Sequence, residues 1–324
     1  MKRIGVLTSG GDAPGMNAAV RAVVRTCIAH NVEAFGIQRG YQGLIEGMIA
    51  PMEARSVSGI IHHGGTILKT ARSAPFRDPE GRAVAAAQLR KHGVEGLVVI
   101  GGDGSYRGGH DLYQEHGVAY VGMPGTIDND IGGTQYTIGF DTALNIAVEA
   151  IDRLRDTAAS HERLFFVELM GRRSGFIAMY SGLAGGAEEI LVPESPTIIQ
   201  KIVEELRGAR SRGKTSMIVV VAEGDDAGNA YTIAQKVQEL APEFNKTRVA
   251  VIGHLQRGGT PTAFDRVLAA RMGVAGVEAL LDGKSDVMTA FEDNRIILRP
   301  VADAWEMRNR FDPDLFRVAK LLSV

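Results

Sequence analysis

Three short apolar runs in the first half of the chain each end in glycines and an acid, a pattern that severely limits the fold. Arg3-Ile4-Gly5-Val6-Leu7-Thr8 meets Ser9-Gly10-Gly11-Asp12-Ala13-Pro14-Gly15. Leu97-Val98-Val99-Ile100 meets Gly101-Gly102-Asp103-Gly104-Ser105. Ala119-Tyr120-Val121-Gly122-Met123 meets Pro124-Gly125-Thr126-Ile127-Asp128-Asn129-Asp130. Buried strands that end in this way belong to open α/β sheets, which bind ligands at their carboxyl edge. Three such ends imply one site for a phosphorylated ligand and a metal ion.

The rest of the chain keeps the same rhythm. Strand-like runs are expected at 3–8, 33–38, 96–100, 119–123, 164–169, 189–192, 216–222 and 247–253. Helix-period segments fall at 16–30, 82–92, 142–160, 198–211, 230–240 and 265–281. This alternation predicts an α/β protein of mostly parallel sheets, covered by helices on both faces. One βα series precedes about residue 139 and another follows it. They predict two similar Rossmann-like, three-layer αβα halves of comparable size, with the active site in a cleft between them.

Composition closes off several functions. Of 324 residues, 45% are hydrophobic and 23% charged, so a large core is available. A net charge of -2 gives no polybasic field for nucleic acid or a membrane surface. The single cysteine, Cys27, sits in an apolar helical pattern and excludes both an intramolecular disulfide and a cysteine metal cluster. No signal peptide precedes the first strand and no apolar run approaches the ~20 residues of a membrane span, so a cytoplasmic location is expected.

Each motif also has a plainer reading. Gly10 to Gly15 is either a tight turn or an anion cradle whose amides and helix dipole face a phosphate. Asp103 either caps the next helix or holds Mg²⁺, which takes one or two carboxylates and completes its shell with water and phosphate. Thr126 to Asp130 is either an acid-rich turn or a paired-carboxylate site, one acid acting as general base. Arg21 and Arg25, four apart, share a helix face that is either solvated or phosphate-binding. Arginines also stand at Arg163, Arg172, Arg173, Arg248 and Arg257, and their rigid forks suit a phosphorylated substrate. Gly208-Ala209-Arg210-Ser211-Arg212-Gly213-Lys214-Thr215 matches the Walker A pattern letter for letter. Its order is inverted, helix before and strand after, so it is rejected as an ATP site.

Taken with Met170-Gly171-Arg172, Gly185-Gly186-Ala187-Glu188 and Gly253-His254-Leu255-Gln256-Arg257-Gly258-Gly259, these motifs closely resemble those of bacterial 6-phosphofructokinases, end to end. The resemblance implies ATP-dependent phosphorylation of fructose 6-phosphate at its 1-hydroxyl, with Mg²⁺. It implies a nucleotide domain of 1–139 plus about 256–306 and a sugar-phosphate domain of 140–255 plus about 307–324. Asp128 resembles the general base, with Thr126 and Asp130 beside it, and Arg172 the cation that stabilises the transferring group. Gly11, Arg72, Ser73, Gly102, Gly104 and Ser105 resemble ATP contacts, and Asp103 the metal ligand. Ile127, Met170, Gly171, Glu223, His254, Leu255, Gln256 and Arg257 resemble sugar-phosphate contacts. Arg163 and Arg248 match arginines contributed by a neighbouring subunit, which implies a homotetramer. Arg21, Ala22, Val23, Val24 and Arg25 resemble part of an effector site for ADP or phosphoenolpyruvate. Arg155, Gly186, Ala187, Glu188, Arg212, Lys214, Thr215 and Ser216 resemble the rest of it.

Departures from the family pattern touch regulation more than chemistry. Ser73 stands where relatives often have cysteine, His63 where arginine is usual, and Thr215 where a second lysine is frequent. Two rival functions are a pyrophosphate-dependent enzyme and a catalytically silent nucleotide sensor. The first would carry an acid at Gly104 and a lysine at Gly125; the second would lack Asp103 or Asp128. A dinucleotide dehydrogenase fits poorly, because no G-x-G-x-x-G follows the first strand.

Overall fold

The computed structural model describes residues 1–309 and 312–323. Its strands are β1 (Arg3–Thr8), β2 (Glu33–Ile37), β3 (Ile49–Met52), β4 (Gly96–Gly101), β5 (Ala119–Pro124), β6 (Leu164–Leu169), β7 (Glu189–Leu191), β8 (Met217–Ala222), β9 (Thr247–Val251), β10 (Val287–Glu292) and β11 (Arg295–Pro300). Its helices are α1 (Met16–Ala29), α2 (Gly40–Glu46), α3 (Pro79–His92), α4 (Asp103–His116), α5 (Phe140–His161), α6 (Phe176–Ala184), α7 (Ile199–Ser211), α8 (Ala230–Leu240), α9 (Ala263–Leu281), α10 (Asp303–Glu306) and α11 (Pro313–Leu322). Two compact units emerge. The first takes Met1–Ile127, Ile131–Thr142 and Arg257–Asn309; the second takes Asp128–Asp130, Ala143–Gln256 and the C-terminal segment with α11.

The first unit holds a seven-stranded sheet, ordered β11-β10-β5-β4-β1-β2-β3. Its inner strands run parallel, and β3 and β11 close the two edges antiparallel. Every residue of β4 is buried, as a strand covered on both faces requires. Leu7, Ile37, Leu97, Val99, Tyr106 and Tyr120 form part of the core on one face, under α2, α3 and α4. Helices α1 and α9 pack together on the other. Gly273 permits their close approach: a Cβ there would lie 2.5 Å from the Cβ of Ala22.

The second unit holds a four-stranded, all-parallel sheet, ordered β7-β8-β6-β9. Leu164, Phe166, Val219 and Val221 make its core with the apolar sides of α7 and α8. Helix α6 packs against β7 and β8. Each unit is thus a mostly parallel sheet covered by helices, as the alternating pattern predicts, with seven strands in the first and four in the second. The extra strands are β3, β10 and β11, which the sequence pattern does not mark. Strands β10 and β11 turn through Asp293 and Asn294, both left-handed at φ 47° and 62°. That pair lacks the glycine which usually advertises a two-residue hairpin.

Candidate active site

In the first unit the ends of β5, β4 and β1 are neighbours, so the three glycine-rich turns share one stretch of sheet edge. Adjacent strands lie about 4.8 Å apart, close enough for one ligand to touch all three. At the end of β1, Thr8 is buried and its Oγ1 donates to the Lys69 carbonyl at 2.9 Å. Asn17 donates to the carbonyls of His63 and Gly64 and accepts from the Ile67 amide at 2.7 Å. Thr70 Oγ1 donates to the Gly10 carbonyl at 2.7 Å. The 63–70 loop is therefore sewn onto the first turn. Gly15 caps α1 with φ 105°, a conformation that favours glycine. Gly11 also makes room for a side chain: a Cβ there would lie 2.6 Å from Nη1 of Arg257, which donates to the Asp12 carbonyl at 3.0 Å.

The end of β4 is built for bare backbone. A Cβ on Gly101 would lie 2.5 Å from the Ser9 carbonyl oxygen, so the two turns touch through this glycine. Gly102, not Asp103, is the N-cap of α4; Asp103 is its first residue and half-buried. A Cβ on Gly102 or Gly104 would meet nothing within 4 Å. Open space therefore flanks Asp103 on both sides. Arg72 is exposed, and Ser73 donates from Oγ to Gln42 Oε1 at 2.8 Å. Tyr41 stacks on Phe76 at 4.0 Å and donates to the Ser105 carbonyl, tying this loop to α4.

Past β5 the chain doubles back. Thr126 donates from its amide to the Ile138 carbonyl at 3.1 Å, and Thr137 Oγ1 donates to the Thr126 carbonyl at 2.7 Å. Ile127 is fully buried and serves packing, whereas Asp128 is 2% exposed at the head of the turn. Gly125 is crowded, with a Cβ there 3.0 Å from Ile100 Cγ2 and 3.1 Å from Met16 Cε. Its lack of a side chain is explained by packing as well as by any donor preference.

In the second unit β8, β6 and β9 are neighbours, and beside the glycines at their carboxyl ends stand Glu223, Met170, Arg172 and His254. Glu223 follows β8; its Oε1 accepts from the amides of Arg172 at 2.6 Å and Gly171 at 3.3 Å. Arg172 is left-handed at φ 55°, and a Cβ on Gly171 would lie 2.3 Å from the Ser174 carbonyl. Arg172 Nη1 stands 3.9 Å from Asp130 Oδ2, with the Arg172 side chain 64% exposed. Met170 donates from its amide to Oε1 of buried Gln256 at 2.8 Å. His254 and Leu255 are exposed in the short turn Gly253–Arg257.

Arg163 and Arg248 are not at this edge. Arg163 precedes β6 and Arg248 is the second residue of β9, paired with Phe165. Both therefore sit at the amino edge of the same parallel sheet.

The remaining basic residues divide between the units. Arg155 donates to the carbonyls of Gly185 and Gly186 at 2.6 and 2.7 Å. Glu188 is buried; it pairs with Lys214 at 3.3 Å and Arg155 at 4.0 Å and accepts from the Ile218 amide. Arg212 and Thr215 are exposed beside this cluster, Ser216 is half-buried and Ala187 is buried. On the first unit's α1, Ala22, Val23 and Val24 are buried, so only Arg21 and Arg25 of that segment offer side chains outward. The Walker-like string runs from the end of α7 towards β8, the reverse of a phosphate loop.

One feature of the site is not legible as functional in the sequence. Asp265, in the first turn of α9, is fully buried and accepts from the amides of Gly139 and Thr142, both at 2.8 Å. Thr262 caps α9 by accepting from the Asp265 amide, so Thr-x-x-Asp reads only as a helix start.

A glycine-lined edge with an isolated carboxylate, and a second edge bearing Arg172, Glu223 and His254, define an α/β phosphate-handling enzyme. The chain belongs to the phosphofructokinase family, whose pattern, described as Phosphofructokinase, it matches over residues 3–280. It is similar to ATP-dependent 6-phosphofructokinase 1 of Thermus thermophilus, 56% identical over 324 residues and covering all of both chains. Among solved structures it is similar to phosphofructokinase from Saccharomyces cerevisiae, at 34% identity and a TM-score of 0.90. That match covers 99% of this chain and 50% of the yeast chain. A pyrophosphate-dependent phosphofructokinase from Marinobacter aquaeolei matches with a TM-score of 0.85 over 100% of this chain and 92% of its own. At 23% identity the latter likeness speaks to the fold alone.

Proposed function

We propose that this chain transfers the γ-phosphoryl group of ATP to the 1-hydroxyl of D-fructose 6-phosphate, giving fructose 1,6-bisphosphate and ADP. The observation that carries the reading is the open, side-chain-free space around Asp103 at Gly102 and Gly104. A nucleotide's α-phosphate needs that space, and a carboxylate at Gly104 would fill and repel it. Pyrophosphate has no such group to place. The full-length similarity to an ATP-dependent relative supports the same donor.

The first unit supplies the nucleotide contacts: Gly11, Arg72, Ser73 and Gly102 to Ser105. Asp103 fits Mg²⁺, since it offers a hard oxygen beside room for phosphate. Bound there, the ion would neutralise charge on the phosphates. Asp128 takes the proton from the 1-hydroxyl as that oxygen bonds to the γ-phosphorus and the bond to the departing ADP breaks. Thr126 and Asp130 flank it, and Arg172 balances charge on the moving group. Glu223 holds the Gly171–Arg172 backbone in place, while Met170, His254, Leu255, Gln256 and Arg257 hold the sugar phosphate.

Sheet position supports a shared substrate site. Strands of five or six residues span roughly 16–20 Å, so Arg163 and Arg248 lie a strand's length from Met170 and His254. They serve the substrate of another copy, in a homotetramer. Phe264, Val267 and Val274 give α9 an exposed apolar side of the kind a subunit interface covers. Arg155, Arg212 and Lys214, around the Glu188 cluster, bind an anionic effector such as ADP or phosphoenolpyruvate, and Arg21 and Arg25 offer cations on the first unit's α1 for the same class of ligand. A cytoplasmic location accompanies a glycolytic role; no helix among the described residues is long and apolar enough to cross a membrane.

The test is conversion of fructose 6-phosphate by the purified chain, followed by coupled detection of the bisphosphate. ATP with Mg²⁺ should support turnover and pyrophosphate should not. Preference for pyrophosphate, or no bisphosphate with either donor, overturns the reading.

A further inference from the structure

We propose that Asp265 is a positioning residue for phosphoryl transfer: its buried carboxylate sets the loop that carries Asp128 and braces that loop against the first glycine turn. The inference rests on the phosphoryl-transfer reading above, within which nothing has assigned this residue a part.

The carboxylate accepts three hydrogen bonds, all from the far end of the loop. Oδ1 takes the Gly139 amide at 2.8 Å, and Oδ2 takes the Thr142 amide at 2.8 Å and the Thr142 hydroxyl at 2.5 Å. Thr142 is where the first unit's chain leaves for the second. Bonds to an ionised acceptor are shorter and stronger than neutral ones, so these fix the loop end tightly. A second set reinforces them: Thr262 donates from its amide to Thr142 Oγ1 at 3.0 Å and from its hydroxyl to Asp141 Oδ2 at 2.6 Å.

From this anchor the geometry passes to the base through backbone. Ile138, next to Gly139, donates to the Pro124 carbonyl at 2.7 Å and accepts from the Thr126 amide. Asp128 follows two residues after Thr126. The same anchor touches the first turn. A Cβ on Gly139 would lie 2.6 Å from Ala13 Cβ, and a Cβ on Gly15 would lie 2.8 Å from Ile138 and 3.5 Å from Asp265 Cβ. Asp265 thus stands behind two of the three turns at the first unit's edge. A misplacement of about 1 Å in a reacting group costs about 10²-fold in rate, and such a loss falls on turnover.

Burial also identifies a carboxylate that plain helix capping does not require. Desolvation lifts the Asp265 carboxyl to about 6 although three donors pull it down. A helix cap alone is satisfied by Thr262, whose side chain already accepts from the Asp265 amide.

Asp265→Asn keeps the shape and removes the charge. In an enzyme whose wild type phosphorylates fructose 6-phosphate with ATP, kcat should fall at least roughly tenfold, with KM for both substrates within about threefold. Calorimetric titration with a non-hydrolysable ATP analogue should still show one site per chain. If Asp265→Asn does not fold, the Thr142 pair decides. Thr142→Ser, which keeps the hydroxyl, should retain kcat, and Thr142→Val should lose it. A folded Asp265→Asn with kcat within about twofold of wild type overturns the inference, as does equal turnover in Thr142→Ser and Thr142→Val. An inactive wild type would instead overturn the functional reading.

Discussion

The carboxyl edges of the two sheets use their glycines differently. In the first unit Gly102 and Gly104 leave open space on both sides of Asp103, while Gly11 and Gly101 make room for Arg257 and for the Ser9 turn. In the second, Glu223 accepts from the Arg172 amide and Gln256 from the Met170 amide, so side chains brace the backbone there. On the proposed reading the first edge takes a polyphosphate, which is bulky, charged and bound by amides and a metal ion, so that edge would work by leaving space. The second edge, on the same reading, takes a sugar phosphate, which is smaller and must be told from its isomers, so it would work by placing groups. It follows that adding atoms should damage the first edge and removing them should damage the second.

The largest effect is expected at the proposed base. Asp128→Ser should lower kcat by ~10²–10⁴-fold while KM for fructose 6-phosphate changes little, because a general base acts mainly in the transition state. Steady-state kinetics decide it, and unimpaired turnover removes Asp128 from the mechanism. Next comes Gly104→Asp, which should cut kcat/KM for ATP by roughly tenfold or more through repulsion and bulk, leaving KM for the sugar phosphate near its starting value. Unchanged ATP kinetics would mean that the first edge does not work by leaving space. On the second edge, Glu223→Ala deletes the acceptor for two amides at a left-handed Arg172. A bond to a charged acceptor contributes ~1.5–3 kcal/mol, so KM for fructose 6-phosphate should rise about tenfold or more. If it does not, bracing is not what shapes that edge.

The smallest expected effect is on stability. The fold holds the Asp265 carboxyl at about 6, above its ordinary 3.8, so folded chains bind this proton more readily than unfolded ones. Keeping it ionised opposes folding above about pH 6, and the penalty is relieved as pH falls through 6 towards 4. Wild type should therefore gain in Tm relative to Asp265→Asn between pH 7.5 and 5. A pH-independent difference would mean that burial does not lift this carboxyl.

How far the sequence discloses this arrangement depends on how local each feature is. The three glycine-and-acid strand ends are local, and their runs are continuous, so β1, β4 and β5 stand out with the turns that follow. Helix α4 does not, because Gly104, Gly108 and Gly109 depress its propensity. Its reason is tertiary: a Cβ on Gly109 would lie 2.6 Å from the Tyr120 ring. Strand β11 hides because an edge strand is half-covered and flanked by arginines. Arg163 and Arg248 are visible as cations, yet only the strand register shows that they lie at the opposite edge of the sheet from Met170 and Arg172. Asp265 shows itself as a capping residue, and its partners 123 and 126 positions away are beyond any local pattern.

The claim at the centre of this account is that position at a sheet edge decides whose substrate a residue serves. Mixing Asp128→Ser chains with Arg163→Ser chains tests it directly, since each variant alone should be nearly inactive at limiting fructose 6-phosphate. In mixed tetramers, verified by differential tagging, some sites would join an intact Asp128 to a neighbour's intact Arg163. Activity should return to as much as about a quarter of wild type for random mixing in a symmetric assembly. No recovery in proven mixed tetramers would place Arg163 and Asp128 in the service of the same chain, or Arg163 outside the site, and would contradict the account.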